Sequence, residues 1–200
     1  TLDRAVSNFE SFKNHVSVLF WSLGNESYAG DILVEMNRYY KEKDPDRLVH
    51  YEGVAENRPY EDLISDMESQ MYAPPEKIKE YLENNPKKPF ILCEYMHDMG
   101  NSLGGMESYI RLLDQYEDYQ GGFIWDYIDQ ALFVKDEVTG RDVLRYGGDF
   151  DDRPSDYEFS GNGILFADRT EKPAMQEVRH YYGLRRYCLL YTSDAADDLI

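Results

Sequence analysis

Five short apolar, β-rich runs divide the chain, with helical stripes between most of them. The runs are VSVLFWSL (16–23), LVHYEG (48–53), LISDMESQMY (63–72), FILCEY (90–95) and GGFIWDYID (121–129). Near-continuous apolar runs of this length suit strands buried on both faces. Between the first two, GDILVEMNRYYKEKDP carries Ile32, Met36, Tyr39 and Lys43 at helical spacing; Asp31 can cap its start and Pro45 stops it. Between the third and fourth, PEKIKEYLENNP puts Ile78, Tyr81 and Leu82 on one face, with Pro75 in front and Pro86 behind. Between the fourth and fifth, Met106, Tyr109, Ile110 and Leu113 form another stripe. The link from 54 to 62 is too short for a full helix.

This alternation predicts a parallel α/β architecture. Such folds expose their working side chains at the C-terminal ends of the strands. Glu26, Glu52, Tyr72, Glu94 and Asp126 fall at those ends. Past residue 130 the alternation stops. YGGDFDDRPSDYEFSGNGILFADRT (146–170) reads as a long structured loop, and KPAMQEVRHYYGL (172–184) as a transition into another element, such as the first strand of a following domain. The end, CLLYTSDAADDLI (188–200), has no usable periodicity and looks like translated vector sequence. The division expected is 1–150 for a catalytic α/β unit, 151–187 for a loop and linker, and 188–200 for a tail of doubtful origin.

Composition narrows the function. At 200 residues, 42% apolar and 14% aromatic, the chain has enough material for a core. A formal net charge of −18 argues against nucleic acid and anionic membrane surfaces as partners, and otherwise reads as solubility. Two cysteines, Cys93 and Cys188, are too few for a disulfide framework, and Cys93 lies in an apolar run like a small core residue. No apolar stretch approaches the ~18 residues of a membrane span. The chain opens on TLDRAVSNFESFKNH without an initiator Met and reads as a piece of something longer.

Two of the runs deliver a glutamate to an edge: Glu26 in WSLGNES and Glu94 in ILCEYMHDMGNS. A pair of carboxylates suits glycoside hydrolysis, one protonated to serve the leaving oxygen and one ionised to attack the anomeric carbon. Separation would set the outcome: about 5–5.5 Å for retention, roughly 6.5–9.5 Å for inversion. Spacing alone equally allows each Glu to cap a strand end or pair with an Arg.

WSLGNES and ILCEYMHDMGNS together resemble glycoside hydrolase family 2 and its β-galactosidase members. The resemblance runs on through QGGFIWDYIDQAL, YGGDF and NGILFADRTEKPA, from about residue 3 to 183. It implies the C-terminal part, strands 4–8, of a (β/α)₈ barrel, followed by a loop-rich segment leading to a further domain. It implies Glu26 as acid/base and Glu94 as nucleophile, retention through a covalent glycosyl-enzyme intermediate, and Tyr72 as a phenol donor to the nucleophile. Substrate contacts are implied at Asn25 (the sugar 2-hydroxyl), His97, Trp125 (an aromatic floor) and Asn162. Mg²⁺ is implied at Glu26, and Na⁺ at the Phe159 backbone carbonyl and the Asn162 side chain, with remaining ligands of both upstream of residue 1. Tyr72 and Trp125 also read as plain core aromatics, and Asn162 as a turn residue.

The expected substrate is a β-galactoside such as lactose, the expected assembly a homo-oligomer and the expected location the cytoplasm. Two departures from the family pattern, NESYAGD after the acid/base and Asp98 in HDMGNS, put the leaving-group preference in question. Two alternatives stay open: another family 2 activity such as β-glucuronidase, and a non-catalytic sugar-binding or inert segment.

Overall fold

A computed structural model describes residues 1–184; Cys188 and the rest of the 188–200 tail lie outside the described residues. The chain forms two units, one of Thr1–Tyr95 with Arg111–Ile124, the other of Met96–Ile110 with Trp125 onward.

The first unit carries the alternation. Its order is α1 (Leu2–Phe12), β1 (Phe20–Ser22), α2 (Asp31–Lys43), β2 (Leu48–His50), the single turn α3 (Glu61–Ile64), β3 (Glu68–Met71), α4 (Pro75–Glu83), β4 (Phe90–Tyr95) and β5 (Tyr119–Ile124); α5 (Met106–Gln115) precedes β5, its residues up to Ile110 counted with the second unit. Each apolar run contains or overlaps one strand, and every pairing among the five is parallel: β1 with β2, and β3–β4–β5 in order. Between the two sheets the Asp66 N–H donates to the Val49 carbonyl at 2.8 Å.

The strands are shorter than the runs. Val16 and Leu19 are 93% and 75% exposed, and pairing begins only at Phe20. Leu63 and Ile64, which open the third run, close the α turn α3 instead, after a 3₁₀ turn at Arg58–Tyr60. Pro59 fits the first turn there, and Arg58 pairs with Glu61 at 3.1 Å. The fifth strand starts at Tyr119 and stops before Trp125. Gly122 lets β5 approach β4, since a Cβ there would sit 2.7 Å from the Leu92 Cβ.

Helix α1 escaped the sequence reading, although Leu2, Ala5, Phe9 and Phe12 have helical spacing. Its buried Ala5 and Phe9 join Trp21, Met36, Tyr40 and Val49 in the core, with Trp21 and Tyr40 stacked at 5.1 Å. Helix α2 forms as expected but is rotated. Leu33, Met36 and Tyr40 are buried while Ile32 is exposed. Gly30, not Asp31, takes the N-cap position, and Asp31 Oδ1 accepts from the Tyr60 hydroxyl at 2.9 Å. Helix α4 buries Ile78 and Leu82 between its two prolines, and α5 buries Met106, Ile110 and Leu112.

The second unit corrects two expectations. The stretch after 130 holds an antiparallel hairpin, β6 (Leu132–Lys135) and β7 (Asp142–Arg145). Its turn is set by Asp136, whose Oδ1 accepts from the Thr139 N–H and hydroxyl, both at 2.7 Å. Residues 175–184 form helix α6 (Met175–Leu184), not a strand, with Val178 buried. Among the described residues no helix is long and apolar enough to cross a membrane.

Candidate active site

Beyond β1 the chain turns through Gly24-Asn25-Glu26-Ser27, all exposed to solvent. Two residues after β2 hold this turn. Glu52 Oε1 accepts the Glu26 N–H at 2.5 Å. The Tyr51 hydroxyl accepts the Ser27 N–H at 3.0 Å and donates back to the Ser27 carbonyl. Glu26 itself sits at φ 54°, the left-handed region that non-glycine residues rarely enter. Asn25 and Glu26 thereby reach solvent on an anchored turn. Glu26, Glu52, Glu56 and Gln70 line a cavity of about 380 Å³.

Glu94 arrives differently, from within β4. Gln70 pairs with Leu92 and Met71 with Glu94, so Cys93 is an extra residue that shifts the ladder just before the glutamate. Such irregularities re-aim side chains near functional sites. Tyr72, immediately after β3, donates its hydroxyl to Glu94 Oε2 at 2.7 Å, and its N–H to the Glu94 carbonyl at 2.9 Å. Burial, reinforced by the bond to Glu94, raises the Tyr72 phenol above its usual range, so it stays a donor. Burial likewise pushes the Cys93 thiol up to about 11, which keeps it protonated and fits a packing role.

The four acidic and phenolic groups feel one another. Burial is the main cause that raises the Glu52 carboxyl, and the charges of Glu94 and Glu26 add to it. Glu26 and Glu94 both bear on Tyr72 as well. Deeper between the strands, His50 bridges Ser22 Oγ at 3.0 Å and Ser69 Oγ at 2.7 Å, and burial lowers its imidazole to about 4.

The remaining expected residues lie in the second unit. Trp125, whose peptide bond to Asp126 is cis, accepts the Asp98 N–H on its carbonyl at 2.9 Å. The His97 ring packs at 5.4 Å from the Phe159 ring. Trp125, Phe159 and Asn162 line one cavity of about 280 Å³ with Gln130 and Tyr157. The segment after Trp125 is fastened to the loop around Asn162. Asp126 N–H donates to the Asn162 carbonyl at 2.8 Å, Asp129 takes the Gly163 N–H at 2.8 Å, and Lys172 pairs with Asp129 at 2.8 Å. Asp98, expected as an added charge, is 3% exposed, and burial raises its carboxyl toward the neutral form.

The two expected cations fare differently. Asn162 is 1% exposed and its Oδ1 has no hydrogen-bond partner among the described residues, which fits a carbonyl-type ligand for Na⁺. No group of three or more His, Cys, Asp or Glu is placed to hold a metal among the described residues. Glu26 alone does not meet the several-oxygen demand of Mg²⁺. A further cavity, of about 430 Å³, lies by Glu68 at the start of β3. Within it Arg58 pairs with both Glu68 oxygens at 2.7 and 2.9 Å and Lys88 with Asp62 at 3.0 Å.

Sequence reasoning placed Glu52 at a strand end without giving it work. The signal was present in HYEG, an apolar strand ending on a glutamate like the other two.

Comparison with known proteins adds the family. The chain is 74% identical over 183 residues to a protein named beta-galactosidase large subunit from Latilactobacillus sakei, covering 92% of this chain and 29% of that one. It is 69% identical over 185 residues to a beta-galactosidase large subunit from Lactobacillus helveticus, with 92% and 30% covered. The chain thus spans about 30% of the length of these curated relatives. Among solved structures, the Lactobacillus rhamnosus beta-glucuronidase superposes with a TM-score of 0.59 at 18% identity, covering 92% of this chain and 35% of that one, a likeness of fold. The family model for glycosyl hydrolases family 2, TIM barrel domain, matches residues 1–186, and the chain belongs to that family.

Proposed function

We propose that the chain is the catalytic-site segment of a retaining β-galactosidase, with β1–β5 as strands 4–8 of the barrel. On this reading 1–150 is its partial catalytic domain and 151–187 a barrel-end loop and linker to a following domain. The observation that carries the reading is the 2.7 Å bond from the Tyr72 hydroxyl to Glu94 Oε2, made beside Glu26. The galactoside assignment draws support from relatives of 69–74% identity named for that activity. The glucuronidases share only the fold, at 17–19% identity.

Glu94 attacks the anomeric carbon with the oxygen that Tyr72 leaves free. The C1–O bond to the leaving group breaks, and a C1–O bond to Glu94 forms. Glu26 gives its proton to the departing oxygen. In the second half Glu26 takes a proton from water, the water oxygen bonds to C1, and Glu94 leaves as a carboxylate. Tyr72 supports the ionised carboxylate at both ends of this cycle. Asn25 hydrogen-bonds the sugar 2-hydroxyl, Trp125 gives the ring an aromatic floor, and His97 and Asn162 complete the sugar contacts. Na⁺, when bound, supplies a fixed positive charge beside the sugar, held by Asn162 Oδ1 and the Phe159 carbonyl.

The substrate class is a terminal β-galactoside such as lactose. The free Cys93 thiol fits a cytoplasmic setting, and the assembly is a homo-oligomer. The test is hydrolysis of matched nitrophenyl β-galactoside and β-glucuronide by the full-length protein. Preference for the glucuronide would overturn the galactoside reading.

A further inference from the structure

Glu26 faces a mechanical problem. It lies in an exposed turn, four residues past the end of β1, in a backbone conformation that L-residues rarely adopt. An acid that must reach the glycosidic oxygen cannot wander, because a misplacement of about 1 Å can cost ~10²-fold in rate. Something must pin the turn.

The pin lies just past the neighbouring strand β2, where a 3₁₀ turn opens at Glu52. Glu52 is 7% exposed, and its Oε1 takes the Glu26 N–H at 2.5 Å, across 26 residues of sequence. Tyr51 fastens the next residue by clamping both backbone groups of Ser27. Gly53 lets the two segments touch. A Cβ there would lie 2.5 Å from the Ser27 carbonyl oxygen and 2.6 Å from the Tyr51 ring. Three consecutive residues, Tyr51-Glu52-Gly53, thus make a seat for Asn25-Glu26-Ser27.

We infer that Glu52 is a positioning residue for catalysis, fixing the backbone of Glu26 so that its carboxyl meets the leaving-group oxygen. The inference rests on the acid/base reading of Glu26 given above. A buried carboxyl that reaches across to the Glu26 N–H, its Oε2 without a partner among the described residues, is costly to keep for packing alone. The reach of the side chain is what matters. Gln keeps an acceptor oxygen at the same distance, whereas Asp falls short by one methylene and Ala has no acceptor.

The experiment uses the full-length protein and compares Glu52→Gln, Glu52→Asp and Glu52→Ala with Glu26→Gln. Each is assayed by kcat/KM on lactose, which needs a proton at its leaving group, and on dinitrophenyl β-galactoside, which does not. Glu52→Asp and Glu52→Ala should lose about 30-fold or more on lactose and less than about 3-fold on the activated substrate. Glu52→Gln should keep lactose activity within about 5-fold of the parent. A merely structural role would lower both substrates together, or leave Gln as poor as Asp, and either result overturns the inference. If Glu52→Ala does not fold, Glu52→Asp against Glu52→Gln decides. If Glu26→Gln shows the leaving-group dependence and Glu52→Asp does not, the positioning role fails and the acid/base reading stands. If Glu26→Gln itself shows no such dependence, the acid/base reading fails, and the positioning role with it.

Discussion

Tyr72 and Glu94 meet twice: the Tyr72 hydroxyl donates to Glu94 Oε2 at 2.7 Å, and the Tyr72 N–H donates to the Glu94 carbonyl at 2.9 Å. The second bond extends the β3–β4 ladder by one step and fixes where the phenol starts. The first then has little freedom left to lose. Tyr72→Phe keeps the ring and the backbone bond and removes only the hydroxyl. A hydrogen bond to a charged group is worth about 1.5–3 kcal/mol, so kcat should fall roughly 10- to 100-fold. The melting temperature should stay close to the parent, because Tyr72 is partly exposed. Unchanged kcat in a folded Tyr72→Phe protein would remove the phenol from the mechanism.

Glu94 as nucleophile makes two linked predictions. Glu94→Gln should nearly abolish turnover on every galactoside, because an amide cannot form the glycosyl ester. The parent enzyme should release the β-anomer first, visible by proton NMR before mutarotation. Early α-anomer would mean direct attack by water, and Glu94 would then be a base.

His50 should leave a mark on stability. It is 5% exposed between Ser22 and Ser69, and burial brings its imidazole down to about 4 from 6.5. As pH falls through 6.5 the unfolded chain takes up a proton that the folded chain refuses until about 4. Stability present above pH 6.5 is therefore lost progressively between about 6.5 and about 4, and the loss then levels off. The carboxyls of Glu52 and Asp98, raised by burial, work with the opposite sign, but a His50 variant shares them. The urea midpoint of the parent should drop from pH 7 to pH 5 more than that of His50→Gln. Parallel profiles would place His50 in water.

The parallel architecture was legible because strands buried on both faces need unbroken apolar runs, and FILCEY is one from end to end. Strand limits were not. Val16 and Leu19 look like strand residues, yet only backbone pairing defines a strand, and the β1–β2 ladder begins at Phe20. The hairpin after Asp129 was missed although Thr139-Gly140 marks its turn between two short β-prone stretches, LFVK and DVLR. Its faces are half-exposed, so composition made it look like loop. At the site, Glu26, Tyr72 and Glu94 came from motif resemblance, and the structure sets the Tyr72 hydroxyl on Glu94 Oε2. The Glu52–Glu26 bond joins side chain to backbone across 26 residues, and no local pattern encodes it.

Asn162 offers a test by ion removal. Its side chain is 1% exposed, and its Oδ1 is without a hydrogen-bond partner among the described residues. Leaving a buried acceptor unsatisfied costs about 1–3 kcal/mol. A cation seated there with the Phe159 carbonyl would offset that cost, and binding only to the folded form adds stability by mass action. Replacing Na⁺ by choline at constant ionic strength should lower the melting temperature of the full-length parent protein. Asn162→Leu fills similar space without the carbonyl. Its melting temperature should be indifferent to the exchange, and in choline it should match or exceed the parent, since the orphaned oxygen is gone. An equal response to Na⁺ in parent and variant would show that the ion binds elsewhere and that Asn162 serves the loop alone.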